Sequence, residues 1–394
     1  MNSPAPRPQR RLGATLATTM SIWSASFAAV ICLSGCGGNG EQAEAPSPAD
    51  PSGYAERCQL PPGPLDALHL PAPTGEQCVG KTAWHLVDAK RAEQHTPDEQ
   101  DRRELGIKVW YPMVSTASGA RAAYLDPNIT ESVRAQLSIP TKAPGVQTNA
   151  KSEGPLQPGS MYPVVIFSAG YGMVVETYST LLEELASHGI VVVAVDHPYI
   201  SGATAMANGK VVQPLAGPAP GQSLPGFLDD AVATMVADQR FVLDWLQGPG
   251  TGVLNGHLNL ARIGLVGHSI GGAAAVQTAR SDARAKAGLD IDGTVYGGTA
   301  GAWQKPVMFL LAANHVGDAT IDTVMRLATG PSRKVTVTDA GHLDFSDLKW
   351  LLDFYVPGLS PSALAAQGFG TIDAPTALRA TRRETLSFVQ QFVP

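Results

Sequence analysis

The sequence is poor in basic character, and this argues against a nucleic-acid partner. Its 394 residues include 28 basic and 34 acidic side chains, for a formal net charge of -6, and no long run of Lys or Arg occurs. Proteins that bind DNA or RNA usually present a basic patch that neutralises phosphates. The composition therefore predicts neither DNA nor RNA as a ligand.

Metal-ligand clusters and internal repeats are also missing. No group of His, Cys or carboxylate residues has the spacing of a metal site, and no fixed period recurs as it does in solenoids or propellers. We therefore expect no metal and no other cofactor. With 44% hydrophobic residues, the chain is long and apolar enough to bury the core of one large α/β domain.

The first 35 residues have the pattern of a bacterial lipoprotein signal peptide. Three arginines form a basic start, an uncharged and weakly apolar stretch follows over residues 12–33, and small residues precede Cys36. In the lipobox that this end resembles, the cysteine becomes the lipid-modified first residue. A transmembrane helix is the alternative interpretation, because the stretch is just long enough to cross a bilayer. We expect export to the bacterial cell envelope, with Cys36 as the anchor on the periplasmic or cell-surface side of a membrane.

Cysteine is scarce, with four residues in the whole chain. Cys32 would be removed with the signal peptide and Cys36 would carry the lipid, so Cys58 and Cys78 remain as candidates for one disulfide. An exported compartment permits such a bond. Two free thiols beneath an N-terminal loop are the alternative.

The rest of the chain divides into a tether and one catalytic domain. Residues 36–53 are rich in Gly, Pro, Ala and Glu and cannot bury enough apolar surface to order themselves, so they are predicted to be a flexible tether. Residues 54–394 form the domain. Inside it, the irregular segment 115–159 is predicted to be a surface excursion, and the Pro- and Gly-rich segment 200–225 a cap or rim loop.

Short apolar runs alternate with helical patterns through most of this domain. Continuous apolar runs are typical of parallel strands that are buried on both faces of a sheet. The pattern predicts strands at residues 81–88, 106–111, 164–167, 190–195, 263–266, 287–291, 306–312 and 334–337. It predicts helices at residues 178–187, 229–247, 271–279, 321–328 and 384–392. This order is typical of the α/β-hydrolase fold, with a mostly parallel, doubly wound sheet and helices on both faces.

A candidate nucleophile lies at Ser269, in the pentapeptide Gly-His-Ser-Ile-Gly of residues 267–271. The pentapeptide alone is weak evidence, but it follows an apolar strand and opens a helix. This succession of strand, sharp turn and helix is the arrangement that lifts a serine hydroxyl above a sheet edge. A Cβ at Gly267 or Gly271 would clash where the strand and the helix approach each other. The alternative is a serine that only caps a helix in a glycine turn.

A serine nucleophile needs a base that an acid holds in place, and this fold has them in the chain order Ser, Asp, His. His342 follows the last strand and is the predicted base, with His315 as the competitor, whereas His197 is predicted to be structural or rim-lining. Two acids remain open from the pattern alone. Asp292 ends the strand after the nucleophile helix, and Asp318 follows the next strand.

The tetrahedral intermediate of acyl transfer needs two backbone N–H donors for its oxyanion. Ile270, the residue after the nucleophile, is expected to supply one of them. We expect Tyr171 to supply the other, because residues 168–172 form a glycine-containing loop directly after a predicted strand. An ordinary glycine turn is the alternative interpretation of this loop.

Over residues 80–392 the chain resembles the platelet-activating-factor acetylhydrolase family of the plasma and intracellular type II kind. The residues that carry the resemblance lie in five short segments, 109–112, 167–172, 195–198, 267–272 and 288–292. In that family the acid follows the strand after the nucleophile helix, so the resemblance implies Asp292. It also implies an enzyme that needs no metal. One departure lies at Ala169, where the family usually has the histidine of a Phe-Ser-His-Gly loop.

Together the residues and the resemblance predict a serine carboxylic-ester hydrolase that acts through an acyl-enzyme, with Ser269, Asp292 and His342 as catalytic residues. A short-acyl phospholipid or a related lipid ester is the expected substrate. A broad carboxylesterase or polyester hydrolase is the alternative. From another class, a surface-binding lipoprotein that kept the fold and lost the chemistry is a further alternative, although the intact set of three residues argues against it.

Overall fold

The computed structural model describes residues 53–393. The predicted signal peptide, the lipidation site Cys36 and nearly all of the predicted tether lie outside the described residues and stay predictions. No helix within residues 53–393 is both long enough and apolar enough to cross a bilayer.

A large mixed β-sheet forms the centre of the described part of the chain. Its eleven strands are β1 (Leu68–His69), β2 (Cys78–Ala92), β3 (Arg102–Met113), β4 (Arg121–Ala123), β5 (Val146–Ser152), β6 (Tyr162–Ser168), β7 (Val191–Asp196), β10 (Leu258–His268), β11 (Ala285–Ile291), β12 (Val307–Ala312) and β13 (Ser332–Val337). The short strands β8 (Thr204–Ala205) and β9 (Val211–Val212) form a separate hairpin. The sheet order is β1-β5-β2-β3-β7-β6-β10-β11-β12-β13, with β4 paired to β5.

Six neighbouring strands of this sheet, β6, β7 and β10 to β13, run parallel to one another. Strand β3 pairs with both β7 and β2 in the antiparallel direction. The β7 sequence Val-Val-Val-Ala-Val-Asp is buried along its whole length, as expected for a strand covered on both faces. The predicted mostly parallel sheet is confirmed. Its direction matters for function, because the carboxyl ends of the parallel strands meet at one edge.

Helices cover both faces of the sheet. They are α1 (Tyr54–Arg57), α2 (Thr130–Gln136), α3 (Ser179–Ser187), α4 (Leu224–Leu246), α5 (Ile270–Ser281), α6 (Ala319–Leu327), α7 (Leu348–Tyr355), α8 (Pro361–Ala366) and α9 (Ala374–Phe392). On one face, Val165 and Phe167 of β6 pack with apolar residues of α3 and α9. On the other face, Val164 and Ile166 of the same strand pack with residues of α4 and α5. Alternation along one strand thus gives two cores, and the predicted α/β-hydrolase architecture is confirmed.

The segment 115–159 differs from the predicted surface excursion. A short helical patch was predicted around residues 132–137, where α2 lies, but the segment also places β5 inside the sheet between β1 and β2. The sequence of β5, Val-Gln-Thr-Asn-Ala-Lys-Ser, has few apolar residues, so neither alternation nor an apolar run marks it as a strand. Its polar side chains are buried with partners: the Asn149 amide donates to Glu183 at 3.1 Å, and Lys151 donates to the Ala117 carbonyl at 2.7 Å. The prediction is therefore wrong for β5.

The C-terminal part of the chain is more helical than predicted. Helix α9 begins at Ala374 rather than at residue 384, and its N-cap Asp373 accepts a hydrogen bond of 2.9 Å from the Thr376 N–H. Helices α7 and α8 were not predicted at all. Helix α7 is apolar but only eight residues long, and α8 is an alanine-rich turn of six residues, so neither is long enough for periodicity to identify it.

A disulfide joins Cys58, which caps α1, to Cys78 at the start of β2. We expect the change of both cysteines to alanine to lower the free energy of unfolding by about 3 kcal/mol, because the bond closes a loop with a sequence separation of 20 in the unfolded chain. Urea denaturation of the oxidised wild-type protein and of the double variant would measure the difference. A reduced wild-type protein should unfold with the variant, and identical midpoints for all three would contradict a stabilising bond.

Candidate active site

Ser269 lies on a sharp turn between β10 and α5. The strand ends at His268, the helix begins at Ile270, and Ser269 between them has φ 56° and ψ -126°. A residue other than glycine adopts this left-handed backbone at a cost of about 1 to 3 kcal/mol, and it does so where its surroundings enforce it. One such constraint is the hydrogen bond of 2.7 Å from the Ser269 N–H to the Ile291 carbonyl. The turn therefore holds the serine in a fixed, strained conformation.

Two glycines allow close backbone approaches at this turn, Gly267 between the strand and the helix and Gly271 between the helix and the end of β6. A methyl group added at Gly267 would lie 2.2 Å from the Gly271 carbonyl oxygen, and one added at Gly271 would lie 2.3 Å from the Ser168 carbonyl oxygen. Both distances are far inside van der Waals contact. The expectation that neither position tolerates a Cβ is confirmed.

Asp292 and His342 meet at the edge of the sheet where Ser269 lies. Asp292 directly follows β11, and its Oδ2 accepts a hydrogen bond of 2.6 Å from Nδ1 of His342, the first residue of a 3-10 turn after β13. Burial would raise the pKa of Asp292, but hydrogen bonds from His315 and His342 and their charges hold it well below its usual range. Asp292 is therefore an anion throughout the neutral pH range.

The competing acid and the competing base lie next to this pair and contact each other. Asp318 caps α6, and its Oδ2 lies 3.3 Å from Nε2 of His315. Nδ1 of His315 lies 3.1 Å from Oδ1 of Asp292, so carboxylates engage both of its ring nitrogens. Nε2 of His342, by contrast, makes no hydrogen bond within residues 53–393, and this side chain is 36% exposed. Despite the gathering of histidines and carboxylates, no group in that part of the chain is arranged to hold a metal ion.

Ser269 and His342 share this edge without a direct hydrogen bond. The Ser269 hydroxyl has no hydrogen-bond partner in the described part of the chain. Catalytic hydrogen bonds are often long or poorly aligned until a substrate binds, so this separation is compatible with a nucleophile and its base.

His268, for which the sequence pattern predicts no role, connects the nucleophile turn to the base. Its ring centroid lies 4.5 Å from that of His342, and its Nε2–H donates to the His342 carbonyl at 2.9 Å. Nδ1 is then the acceptor for the Tyr178 hydroxyl at 2.8 Å. Burial and, secondly, the charge of His342 lower the pKa of His268 to about 3, so the ring is neutral. It acts as a fixed support for the backbone of His342.

Two backbone N–H groups beside Ser269 are available to an oxyanion. Ile270 is the first residue of α5, so its N–H has no partner inside the helix and lies at the positive end of the helix dipole. The N–H of Tyr171 is also without a partner among the described residues, whereas that of Gly172 donates to a carbonyl. A methyl group added at Gly170 would lie 3.2 Å from Cβ of Ser269, which shows how closely this loop approaches the nucleophile.

A second set of Ser, His and Asp lies buried beneath that loop. Oγ of Ser168 lies 3.0 Å from Nε2 of His197, and Nδ1 of His197 lies 2.8 Å from Oδ2 of Asp238. Each of the three residues is at most 1% exposed. Arg103 donates to both carboxylate oxygens of Asp238. Because no substrate reaches these side chains, they serve to fix Ser168, from which the oxyanion loop begins.

We expect Asp238→Asn to lower the free energy of unfolding at pH 7 by about 3 kcal/mol, because Arg103 would keep a buried charge with Glu93 as its remaining partner. Burial would raise the pKa of Asp238, but the charge and hydrogen bonds of Arg103 hold it well below its usual range. The stabilisation is therefore present at neutral pH and is lost as the pH falls toward that lowered pKa. Chemical denaturation measures it, with Asp230→Asn on the exposed side of the same helix expected to change stability by less than about 0.5 kcal/mol. Equal losses in both variants would contradict the prediction.

An apolar wall lies next to the proposed oxyanion donors. The Tyr171 hydroxyl donates to the Leu215 carbonyl, and the Tyr171 ring meets Phe227 edge-on with a centroid distance of 5.6 Å. These side chains pack with Ile270 in one cluster. Leu215 belongs to the segment 200–225, which was predicted to be a cap or rim loop.

Comparison with known proteins relates most of the chain to one family. The family described as platelet-activating factor acetylhydrolase, isoform II, matches residues 70–215 and 246–393. The platelet-activating factor acetylhydrolase of Cavia porcellus is 24% identical over 288 residues, which are 63% of this chain and 61% of that protein. A probable 1-alkyl-2-acetylglycerophosphocholine esterase of Arthroderma benhamiae is 29% identical over 204 residues, 48% of this chain and 50% of that protein. The chain thus spans between half and about three fifths of these relatives.

A solved structure extends the similarity across the fold. The ferulic acid esterase from Streptomyces cinnamoneus is 30% identical, with a TM-score of 0.72, and the match covers 82% of this chain and 93% of that chain. The family match includes the nucleophile turn, both candidate acids and His342. The chain therefore belongs to the platelet-activating factor acetylhydrolase, isoform II, family, a family of carboxylic ester hydrolases with the α/β-hydrolase fold.

Proposed function

We propose that this protein is a serine carboxylic-ester hydrolase in which Ser269 is the nucleophile, His342 the general base and Asp292 the acid that orients the base. The observation that carries the proposal is the hydrogen bond of 2.6 Å between Nδ1 of His342 and Oδ2 of Asp292, at the edge where Ser269 lies. When Nδ1 donates to Asp292, Nε2 of the neutral ring holds the lone pair that a base needs. Family membership supports an ester as the substrate.

The reaction has two steps that share one acyl-enzyme. His342 removes the hydroxyl proton of Ser269 as the oxygen attacks the ester carbonyl, and the N–H groups of Ile270 and Tyr171 stabilise the oxyanion. The intermediate then expels the alcohol, which receives the proton from His342. A water molecule deprotonated by the same histidine attacks the acyl-enzyme and releases the carboxylic acid. The buried anion Asp292 stabilises the imidazolium in both steps.

A lipid ester with a short acyl chain, such as a short-acyl phospholipid, is the substrate we propose first. Both relatives named above are designated as enzymes for platelet-activating factor or for a 1-alkyl-2-acetylglycerophosphocholine. An ester of an aromatic acid is the second candidate, because a ferulic acid esterase is among the solved structures that resemble this chain, with a match over 82% of it. A broad carboxylesterase or polyester hydrolase would accept both kinds of ester.

Hydrolysis rates on a panel of esters distinguish these candidates. The panel contains p-nitrophenyl esters from acetate to longer chains, a 1-alkyl-2-acetyl-glycerophosphocholine and methyl ferulate. A kcat/KM at least about tenfold higher on the phospholipid supports the first candidate, and the same preference for the ferulate supports the second. Comparable rates indicate a broad carboxylesterase. A folded protein that hydrolyses none of them would contradict the proposal and favour a surface-binding role.

We further propose that the protein is exported and anchored to a bacterial cell-envelope membrane by a lipid on Cys36. The disulfide between Cys58 and Cys78 supports this proposal, because such bonds persist in oxidising compartments. Fractionation of cells that express Cys36→Ala tests it. Release of the variant from the membrane fraction is the expected result, and unchanged membrane association would contradict the anchor.

A further inference from the structure

We propose that His315 is a positioning residue that fixes Asp292 and neutralises Asp318, and that it thereby sets the pH range in which His342 acts as a base. The inference rests on the catalytic residues proposed above. It concerns a side chain that the two-step mechanism does not use. It starts from the observation that one catalytic carboxylate has two histidine partners.

The geometry joins the four side chains in one row. Asp292 accepts a hydrogen bond of 2.6 Å on Oδ2 from Nδ1 of His342 and one of 3.1 Å on Oδ1 from Nδ1 of His315. The other ring nitrogen of His315 lies 3.3 Å from Oδ2 of Asp318, which also accepts a hydrogen bond of 2.6 Å from Thr294. The exposed fractions of the side chains are 2% for Asp292, 10% for Asp318 and 22% for His315. His315 therefore bridges the two carboxylates in a largely buried environment.

A histidine between two carboxylates carries a positive charge at neutral pH. Burial alone would lower the pKa of His315, but hydrogen bonds to Asp292 and Asp318 and their charges raise it to about 10. For Asp318, the hydrogen bonds from His315 and Thr294 outweigh burial and hold the pKa well below its usual range. Both carboxylates are thus ionised and His315 is cationic when the enzyme works.

This cation has a consequence for the base. Without it, nothing would offset the charge of Asp292, which contacts His342, or that of Asp318, which lies further along the row. Both negative charges would then stabilise the imidazolium form of His342, which cannot accept a proton from serine. The positive charge of His315 offsets the negative charge of Asp318. Asp292 then supplies the negative charge that stabilises the imidazolium of His342 during the reaction. The titratable groups that face this row, from the elements packed against it, are Asp290 of β11, His268 at the end of β10 and Tyr296 of the segment between β11 and β12.

His315→Asn tests the charge while it keeps an amide donor near the position of Nδ1. In the full-length protein, we expect the acid limb of the pH profile of kcat/KM, measured on p-nitrophenyl acetate, to move to higher pH by about half a pH unit. The rate on the plateau should change by less than about fivefold, because Asp292 keeps a donor on Oδ1. His315→Leu removes this side-chain donor as well and leaves Oδ1 with the hydrogen bond of 2.6 Å from the Ala312 N–H, so the plateau rate should fall by about tenfold.

Asp318 supplies the matched counter-test. Asp318→Asn removes the carboxylate that His315 offsets, so the acid limb should move in the opposite direction, to lower pH. The double variant His315→Asn with Asp318→Asn should return the limb close to its wild-type position. His85→Asn is the control. His85 lies on β2, five strands from β11, and its ring is 3.4 Å from Glu104 of β3, so its loss should leave the pH profile of kcat/KM unchanged.

The outcomes separate this inference from the proposed function. A limb that shifts upward with His315→Asn and returns in the double variant supports it. A loss of thermal stability or of plateau rate without any shift of the limb would show a purely structural role and overturn it. If Ser269→Ala and His342→Asn are inactive while His315→Asn keeps the wild-type profile, only this inference fails. If Ser269→Ala stays active, the proposed function fails first.

Discussion

Replacement of Ser269 by alanine is expected to lower kcat/KM for ester hydrolysis by about 10⁴-fold or more. In the proposed mechanism, Oγ of Ser269 is the atom of the site that forms a covalent bond to the substrate, so the acyl-enzyme pathway is lost without it. The catalysis that remains would come from the oxyanion donors and from binding alone. A p-nitrophenyl ester assay under kcat/KM conditions measures the loss.

The control for this change lies on the same helix. Ser281 is the last residue of α5, and its hydroxyl donates to the Gln277 carbonyl away from the active edge. Ser281→Ala should therefore keep the wild-type rate. Circular dichroism shows that both variants are folded. A folded Ser269→Ala protein with more than about a tenth of the wild-type rate would remove Ser269 from the mechanism.

Asp292→Asn is expected to lower kcat by about 10³- to 10⁴-fold, whereas Asp318→Asn should keep kcat/KM within about tenfold at the pH optimum. An asparagine at 292 presents its amide to Nδ1 of His342 and favours the wrong tautomer of the base. At 318, asparagine still caps α6, and the position contacts His315 rather than His342. The same ester assay compares the two variants.

This pair of variants decides between the two acids that the sequence pattern left open. A severe loss of activity in Asp318→Asn together with an active Asp292→Asn would identify Asp318, which follows β12, as the catalytic acid. It would also contradict the hydrogen bond of 2.6 Å on which the assignment rests. Equal and moderate losses would indicate that the two carboxylates act as a unit, as coupled groups do.

The fold could be predicted from the sequence wherever burial requires a continuous run of apolar residues. The strands β6, β7, β10 and β11 each contain a buried run of mostly apolar residues because both faces of the sheet are covered there, and all four runs were predicted. The nucleophile turn was equally visible, since close approach of a strand and a helix requires glycine at fixed positions. Strand β5 was missed because its burial depends on polar partners that are distant in sequence, such as Glu183 for Asn149.

The sequence pattern predicts only part of the arrangement of the candidate site. Asp292 and Asp318 each follow a strand that ends at the same edge, so pattern alone could not choose between them. The family resemblance favoured Asp292, and the structure brings His342 to that carboxylate. The bridging contacts of His315 and the support from His268 join residues 23 and 74 positions apart from their partners. No local signal in a single sequence marks such pairs. The catalytic roles of these residues stay predictions.

The most direct test of Ser269 as the nucleophile is mass spectrometry of the protein after reaction with a fluorophosphonate, which traps activated serines. We predict one adduct per chain, located on Ser269, and a severalfold slower reaction in His342→Asn because the base is missing. The buried Ser168 should stay unmodified. An unlabelled Ser269 in a protein that hydrolyses esters, or a label on another serine, would contradict the account.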